Sequence, residues 1–440
     1  MQTGKRTHKI GIISLGCAKN LVDSEVLMKQ LDACQFKLVF DPEEQARLDT
    51  VIINTCGFIN DAKTESIETI LHYSEARKNN KIRNLFVMGC LSERYKKQLQ
   101  EEIPEVDDFF GVNDLEKIVS RVGGTFRRSL TGERILTTPS HYTYLKIAEG
   151  CDRKCSFCSI PLIRGKHTSV PFEDIITQGR SLAAKGVKEL NIISQDTTWY
   201  GFDLYKKRRL PELLGALSDI RGIEWIRLHY TYPDGFPLEI LDVIRERPNI
   251  CKYIDIPLQH INSEILRSMR RGINKTETLR LIDTIRSRVP GIAVRTTLIA
   301  GYPGETQKKF DELKQFVSQS RFDRLGIFTY SHEEDTAAFR LKDSVPEKIK
   351  QQRAAELMEI QQSISLGLNR EKIGRVFKVI IDREEGDYFI GRSEFDSPEI
   401  DNEILVPKKY HRLETGRFYD IRITGAESFD LFGENIFIFL

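Results

Sequence analysis

Three short apolar runs, Lys9-Ile-Gly-Ile-Ile-Ser, Thr50-Val-Ile-Ile-Asn and Leu85-Phe-Val-Met, constrain this chain most, because each stops near a cysteine and gives way to an amphipathic stretch. β-Branched and apolar on both faces, they predict strands of a parallel sheet covered by helices. Helical patterns follow at 21–31 and 62–77. The cysteines stand in Ser14-Leu-Gly-Cys17, Asn54-Thr-Cys56-Gly57 and Met88-Gly-Cys90, spaced 39 and 34 residues apart, too far for a local metal loop. Parallel strands put their C-terminal ends on one side of a sheet, so Cys17, Cys56 and Cys90 are expected to converge there as three ligands of one inorganic group. Each also precedes a helix whose N-terminal dipole favours thiolate. Gly16, Gly57 and Gly89 are expected to let the backbone approach a bulky group. A single cysteine so placed would read as a small core residue, and Cys34 and Cys251 are read that way.

A second set is local. Cys151, Cys155 and Cys158 stand in Glu-Gly-Cys-Asp-Arg-Lys-Cys-Ser-Phe-Cys, a CxxxCxxC triplet. Three thiolates this close can hold three irons of a 4Fe–4S cubane. No fourth cysteine follows at short range, so one iron would keep an open site able to chelate S-adenosylmethionine. The triplet resembles the signature of the radical S-adenosylmethionine enzymes, and Phe157 fills the aromatic position usual before the last cysteine. The alternative is a zinc site with His141 or His167 as fourth ligand, although structural zinc usually pairs two CxxC-like hooks.

Bulk properties exclude several classes. At 440 residues the chain has room for two to four domains. A formal net charge of +2 does not indicate a strongly basic nucleic-acid binder. No apolar run approaches the ~18 residues of a membrane span, and the start lacks the apolar region of a signal peptide. Eight cysteines in such a chain read as reduced thiols of a cytoplasmic protein.

Beyond a linker expected at Gly123-Gly124 and 131–141, strand patterns recur at 144–148, 189–193, 225–229, 253–256, 293–299 and 326–329, with helical stretches between most of them. Six βα units predict an open partial barrel, working at the C-terminal ends of its strands. Polar residues there, Ser194-Gln195-Asp196, His229, Gln259-His260, Arg295-Thr296 and Tyr330-Ser331, are candidate ligands for adenosylmethionine or substrate. Thr297-Leu-Ile-Ala-Gly301-Tyr-Pro-Gly304-Glu305 resembles the GxIxGxxE element of radical adenosylmethionine barrels. Phe157, Gln195, Gln259, Arg295 and Gly301 are therefore the expected cofactor contacts. Ser344-Val-Pro-Glu347 reads as a capping box opening a long helix, and Gly374 as its C-terminal cap. Short alternating runs at 376–381, 388–391, 403–406, 418–423 and 436–439 then predict a small antiparallel β-barrel, OB-like in style. The expected class is thus α/β: a parallel α/β domain, a partial (βα)6 barrel and a terminal β-barrel.

Taken together, the two cysteine triplets in this order, followed by a β-barrel, resemble the methylthiotransferase family. Ser14-Leu-Gly-Cys-Ala-Lys-Asn-Leu-Val-Asp-Ser24, Cys158-Ser-Ile-Pro-Leu-Ile-Arg-Gly165, Ser194-Gln-Asp-Thr-Thr-Trp-Tyr-Gly201 and Asp255-Ile-Pro-Leu-Gln-His260 are similar to the branch that modifies an aspartate of small-subunit ribosomal protein twelve. Branches acting on tRNA adenosine, the alternative, usually carry a Gly-Gln-Asn-like run at 194–196. The resemblance implies a methylthiotransferase domain at 7–122, a radical adenosylmethionine barrel at 137–373 and a TRAM barrel at 374–440. It also implies two 4Fe–4S clusters and S-adenosylmethionine as cofactors. The cluster on Cys151, Cys155 and Cys158 would cleave adenosylmethionine reductively, and the radical would take hydrogen from the aspartate β-carbon. The cluster on Cys17, Cys56 and Cys90 would present the sulfur that a second adenosylmethionine methylates. An electron donor such as flavodoxin or ferredoxin is implied; a membrane partner and stable nucleic-acid binding are not expected. Fourteen acidic against ten basic residues over 372–440 suggest that the terminal barrel docks a basic protein through exposed Glu394, Asp396, Glu399 and Asp401.

Overall fold

A computed structural model describes residues 8–43, 46–130 and 132–436, arranged as two compact units. The first unit comprises residues up to 138 together with 149–153 and 159–168; the remainder forms the second.

In the first unit β1 (Lys9–Ser14), β2 (Lys37–Phe40), β3 (Thr50–Thr55), β4 (Asn84–Gly89) and β5 (Asp108–Phe109) make one sheet in the order β2-β1-β3-β4-β5, every ladder parallel. Alternation divides the apolar residues between its faces. Ile10, Ile12, Ile52 and Phe86 pack with Leu27 and Leu31 of α1 (Ala18–Ala33). Ile13, Val51, Ile53, Leu85 and Val87 pack with Ile70 of α2 (Asn60–Lys78) and Leu91 and Leu99 of α3 (Cys90–Glu102). The sheet is buried on both sides, as its apolar runs require. After α4 (Leu115–Arg121), the stretch expected as a loose linker is strapped down. Buried Arg134 pairs with buried Glu25 at 3.0 Å, and Thr137 donates its amide to the same carboxylate at 2.7 Å. Thr131 lies outside the described residues.

The second unit holds six parallel strands: β6 (Tyr142–Lys146), β7 (Glu189–Ile193), β8 (Trp225–Leu228), β9 (Ile250–Asp255), β10 (Ala293–Ala300) and β11 (Arg324–Thr329). They run in the order β11-β10-β9-β8-β7-β6, the open six-unit arrangement expected. The long helix Glu347–Arg370 follows, but the capping box does not form. Ser344 instead accepts from the Gly304 amide at 3.0 Å, and Pro346 takes the cap position. Gly374 lies beyond the cap at Glu371 and donates its amide to Ile423.

Strands β12 (Val376–Glu385), β13 (Tyr388–Ser393), β14 (Glu403–Pro407), β15 (Phe418–Ala426) and β16 (Asp430–Asn435) close the terminal barrel. One of its ladders, β14 with β16, is parallel rather than antiparallel. Of the strand expected at 436–439, residues 437–439 lie outside the described residues.

Of the four acids after β13, Glu399 is exposed, but Asp396 is buried and Glu394 and Asp401 are half-buried, which corrects the reading of the segment as an exposed docking face. Asp396 is fully buried against Arg324. Asp401 accepts from the Tyr253 hydroxyl at 2.8 Å, and Glu399 accepts from the hydroxyls of Tyr142 at 2.7 Å and Tyr144 at 3.2 Å. Glu394 accepts the Lys252 amide at 3.0 Å. Tyr142 and Arg324 are the first residues of their strands, so the terminal barrel covers the N-terminal end of the sheet and leaves the C-terminal end to the chemistry.

Above this floor Asp255 is held by several partners. Burial alone would push its carboxyl up. His229 Nδ1 at 3.7 Å, Arg295 Nη1 at 3.1 Å and the Tyr230 amide at 3.1 Å outweigh burial and hold it at about 2. A carboxyl lowered on folding stabilises the fold above its unfolded value of about 3.9, and that contribution fades as pH falls from there towards 2. Urea unfolding at stepped pH is expected to show a loss of roughly 2 kcal/mol across this window that Asp255→Asn lacks; an identical slope in both proteins would refute the assignment.

No helix among the described residues is long and apolar enough to cross a membrane.

Candidate cluster and cofactor sites

The first unit brings Cys17, Cys56 and Cys90 together. Cys17 caps α1, Cys56 follows β3 directly, and Cys90 opens α3 as β4 ends. The adjoining glycines serve this convergence. A Cβ on Gly16, whose φ is +89°, would lie 2.9 Å from Cys56 Sγ. One on Gly57 would lie 2.7 Å from the backbone of Leu91. Cys17 is exposed while Cys56 and Cys90 are buried.

Burial opposes the thiolate form at two of the three sulfurs. Burial pushes the Cys90 thiol up to about 12 although Arg164 opposes it, and burial raises Cys56 as well. Burial is the largest influence on both sulfurs, and a bound metal would replace the thiol proton outright. Three cysteines that feel one another's charge, with one open to solvent, are a donor set suited to iron–sulfur chemistry. Among the described residues no three His, Cys, Asp or Glu side chains close tightly on a single ion. A polynuclear cluster, whose irons stand apart, suits wider spacing.

Of the local triplet, Cys151 belongs to the first unit and Cys155 and Cys158 to the second. The Cys151 amide donates to Gly165 at 3.1 Å. In the second unit Arg271, 4% exposed, donates to Cys155 Sγ at 3.2 Å, and the Tyr232 hydroxyl stands 3.3 Å from the same sulfur. Ser156 locks the loop, its amide donating to Met269 and its hydroxyl to Ser268. Phe157 packs against Ile265, Met269, Ile299, Tyr302 and Tyr330, anchoring the loop from below. Within the second unit Cys155 and Cys158 are half-buried. The zinc alternative loses His141, whose Nε2 meets Asp382 at 2.8 Å.

The expected cofactor contacts divide. Gln195 lies just past β7 at the C-terminal end. Gln259, at φ +73°, exchanges backbone hydrogen bonds with Thr297 and Ile299 and keeps a buried Oε1 with no hydrogen-bond partner among the described residues. Both are placed where a ligand of the sheet would sit. Arg295, third in β10 and in register with Asp255 at the end of β9, has its guanidinium shared by Asp255 and Asp401. Gly301 also serves packing. A Cβ there would lie 2.3 Å from Lys350 Cγ, and its amide donates to buried Glu305 at 2.9 Å. Sequence reasoning missed Arg271, for which no local pattern exists, and Arg164, visible only as one residue of the run after Cys158.

Residues 9–111 match Uncharacterized protein family UPF0004, 145–317 the Radical SAM superfamily and 373–436 the TRAM domain. The fold resembles the radical S-adenosylmethionine methyltransferase TsrM from Kitasatospora setae, with a TM-score of 0.52 at 14% identity over 73% of this chain and 75% of that one. Much closer are proteins named ribosomal protein uS12 methylthiotransferase RimO. That of Cytophaga hutchinsonii is 55% identical over 98% of both chains, and that of Flavobacterium johnsoniae 53% over the same shares. The Bacteroides thetaiotaomicron protein is also 53% identical over 98% of each. With identity at this level along nearly every residue, the chain belongs to the RimO family of radical S-adenosylmethionine methylthiotransferases.

Proposed function

We propose that this chain places a methylthio group on the β-carbon of an aspartate in ribosomal protein uS12, using S-adenosylmethionine. The observation that carries the reading is the pair of separate cysteine sets, each attended by a buried arginine, in a chain of this family. A 4Fe–4S cluster on Cys151, Cys155 and Cys158 would supply the electron that cleaves adenosylmethionine, and one on Cys17, Cys56 and Cys90 the sulfur to be transferred. The chain's own residues place these groups. Arg271 and Tyr232 hold Cys155, Phe157 and Ser156 fix the loop, and Gln195 and Gln259 present amides to the cofactor. Stretches 7–122, 137–373 and 374–440 form the sulfur-carrying, radical and terminal domains. An electron donor such as a flavodoxin or ferredoxin reduces the clusters. The tRNA alternative is not favoured, since the close relatives carry the name of the ribosomal protein enzyme.

Anaerobically reconstituted protein is expected to hold about eight irons and about eight sulfides per chain, from two four-iron cubanes. Alanine at either cysteine triplet should halve both. Zinc-rich protein without visible charge-transfer absorption would contradict the reading.

A further inference from the structure

Arg164 ends helix α5 (Ile160–Arg164), six residues beyond Cys158, yet its side chain serves the other cysteine set. Only 4% exposed, its Nη1 donates to Asp23 Oδ2 at 3.0 Å and Glu149 Oε2 at 2.9 Å, and its Nη2 to Asn20 Oδ1 at 2.5 Å. Asn20 is the hub of the convergent loops. Its Nδ2 donates to the carbonyls of Leu15 and Thr55, just before Cys17 and Cys56, and its Oδ1 lies 3.7 Å from Cys90 Sγ. The guanidinium therefore sits beside Cys90, and its charge is felt at Cys56 and Cys17 as well. Two carboxylates on one arginine more than cancel its charge, so the group reaches the sulfurs as a positive end backed by negative ones.

Resting on the reading that Cys17, Cys56 and Cys90 hold an iron–sulfur cluster, we propose that Arg164 is the positioning residue that sets that cluster's reduction potential, with Asp23 as its counterweight. Reduction adds an electron to a group already made anionic by thiolates. A fixed cation in a poorly solvated site stabilises the reduced form, and a fixed anion opposes it. Outer-sphere charges and hydrogen bonds of this kind tune a metal site without ligating it. Removing Arg164 should make the cluster harder to reduce, and neutralising Asp23 should make it easier.

The test uses full-length protein carrying alanine at Cys151, Cys155 and Cys158, so that one cluster reports. Its potential is read by dye-mediated titration followed by electron paramagnetic resonance. Arg164→Met is expected to shift the reduction equilibrium at least tenfold towards the oxidised form, 59 mV for a one-electron couple. Arg164→Lys should recover most of that shift, because the charge remains. Asp23→Asn, which keeps an acceptor for the guanidinium, should shift the equilibrium the opposite way. A purely structural role predicts shifts of one sign or none, and either result overturns the proposal. Should Arg164→Met lose its iron, Asp23→Asn decides alone: a potential equal to or below that of the parent refutes it. If the parent itself binds no iron while other cysteines do, the reading of this triplet fails and the proposal falls with it.

Discussion

Alanine at Cys151, Cys155 and Cys158 is expected to abolish release of 5′-deoxyadenosine from adenosylmethionine, whereas alanine at Cys17, Cys56 and Cys90 should leave that release intact and stop methylthio transfer. The two sets are built differently. Cys155 is held by Arg271 and Tyr232, half-open to a small ligand. Cys56 and Cys90 are buried thiols whose ionisation burial opposes. Cleaving an adenosyl group needs an iron with an open site, and losing its ligands removes the cofactor's chemistry entirely. Losing the other set removes the sulfur donor only. Both products are separable by liquid chromatography. Methylthio product from the second variant, or adenosylmethionine cleavage by the first, would reverse or dissolve the assignment of roles.

The largest stability effect should come from Glu189, at the floor of the six-stranded sheet. It is fully buried between two arginines, Arg227 Nε at 2.9 Å and Arg392 Nη1 at 2.5 Å. Arg227 also donates to the Glu394 carbonyl at 2.6 Å, tying this pair to the terminal barrel. Glu189→Gln takes the carboxylate from buried Arg227, while Arg392 keeps Asp382 at 2.8 Å. Breaking a buried pair from one side costs about 3–5 kcal/mol, and the melting temperature of the second unit should fall by on the order of 10 °C. The exposed pair Lys378–Glu224, at 2.9 Å, provides the control. Glu224→Gln should cost less than about 1 kcal/mol, since water already screens both partners. Equal melting of the two variants would show that burial does not set the difference.

Much of this was legible from local pattern. The runs ending near Cys17, Cys56 and Cys90 became β1, β3 and β4, because apolar β-branched runs have few other places to go. The six barrel strands and four of the five terminal strands also followed their periodicity. What escaped was decided by distant partners. β2 and β5, four and two residues long, are too short to carry a period. Ser344 preferred the Gly304 amide to its own helix. The acids after β13 resembled solvated surface, yet Asp396 finds Arg324 and Asp401 finds Tyr253, 72 and 148 residues away. Arg164 and Arg271 have no periodicity at all, and only their tertiary neighbours reveal them.

The central claim is that this chain modifies ribosomal protein uS12, and mass spectrometry of that protein tests it most directly. uS12 from cells lacking the gene should carry the unmodified aspartate. Restoring the gene should return the methylthio group, and restoring it with alanine at Cys17, Cys56 and Cys90 should not. If uS12 is unchanged throughout while a tRNA adenosine loses and regains a methylthio group with the gene, the substrate named here is wrong.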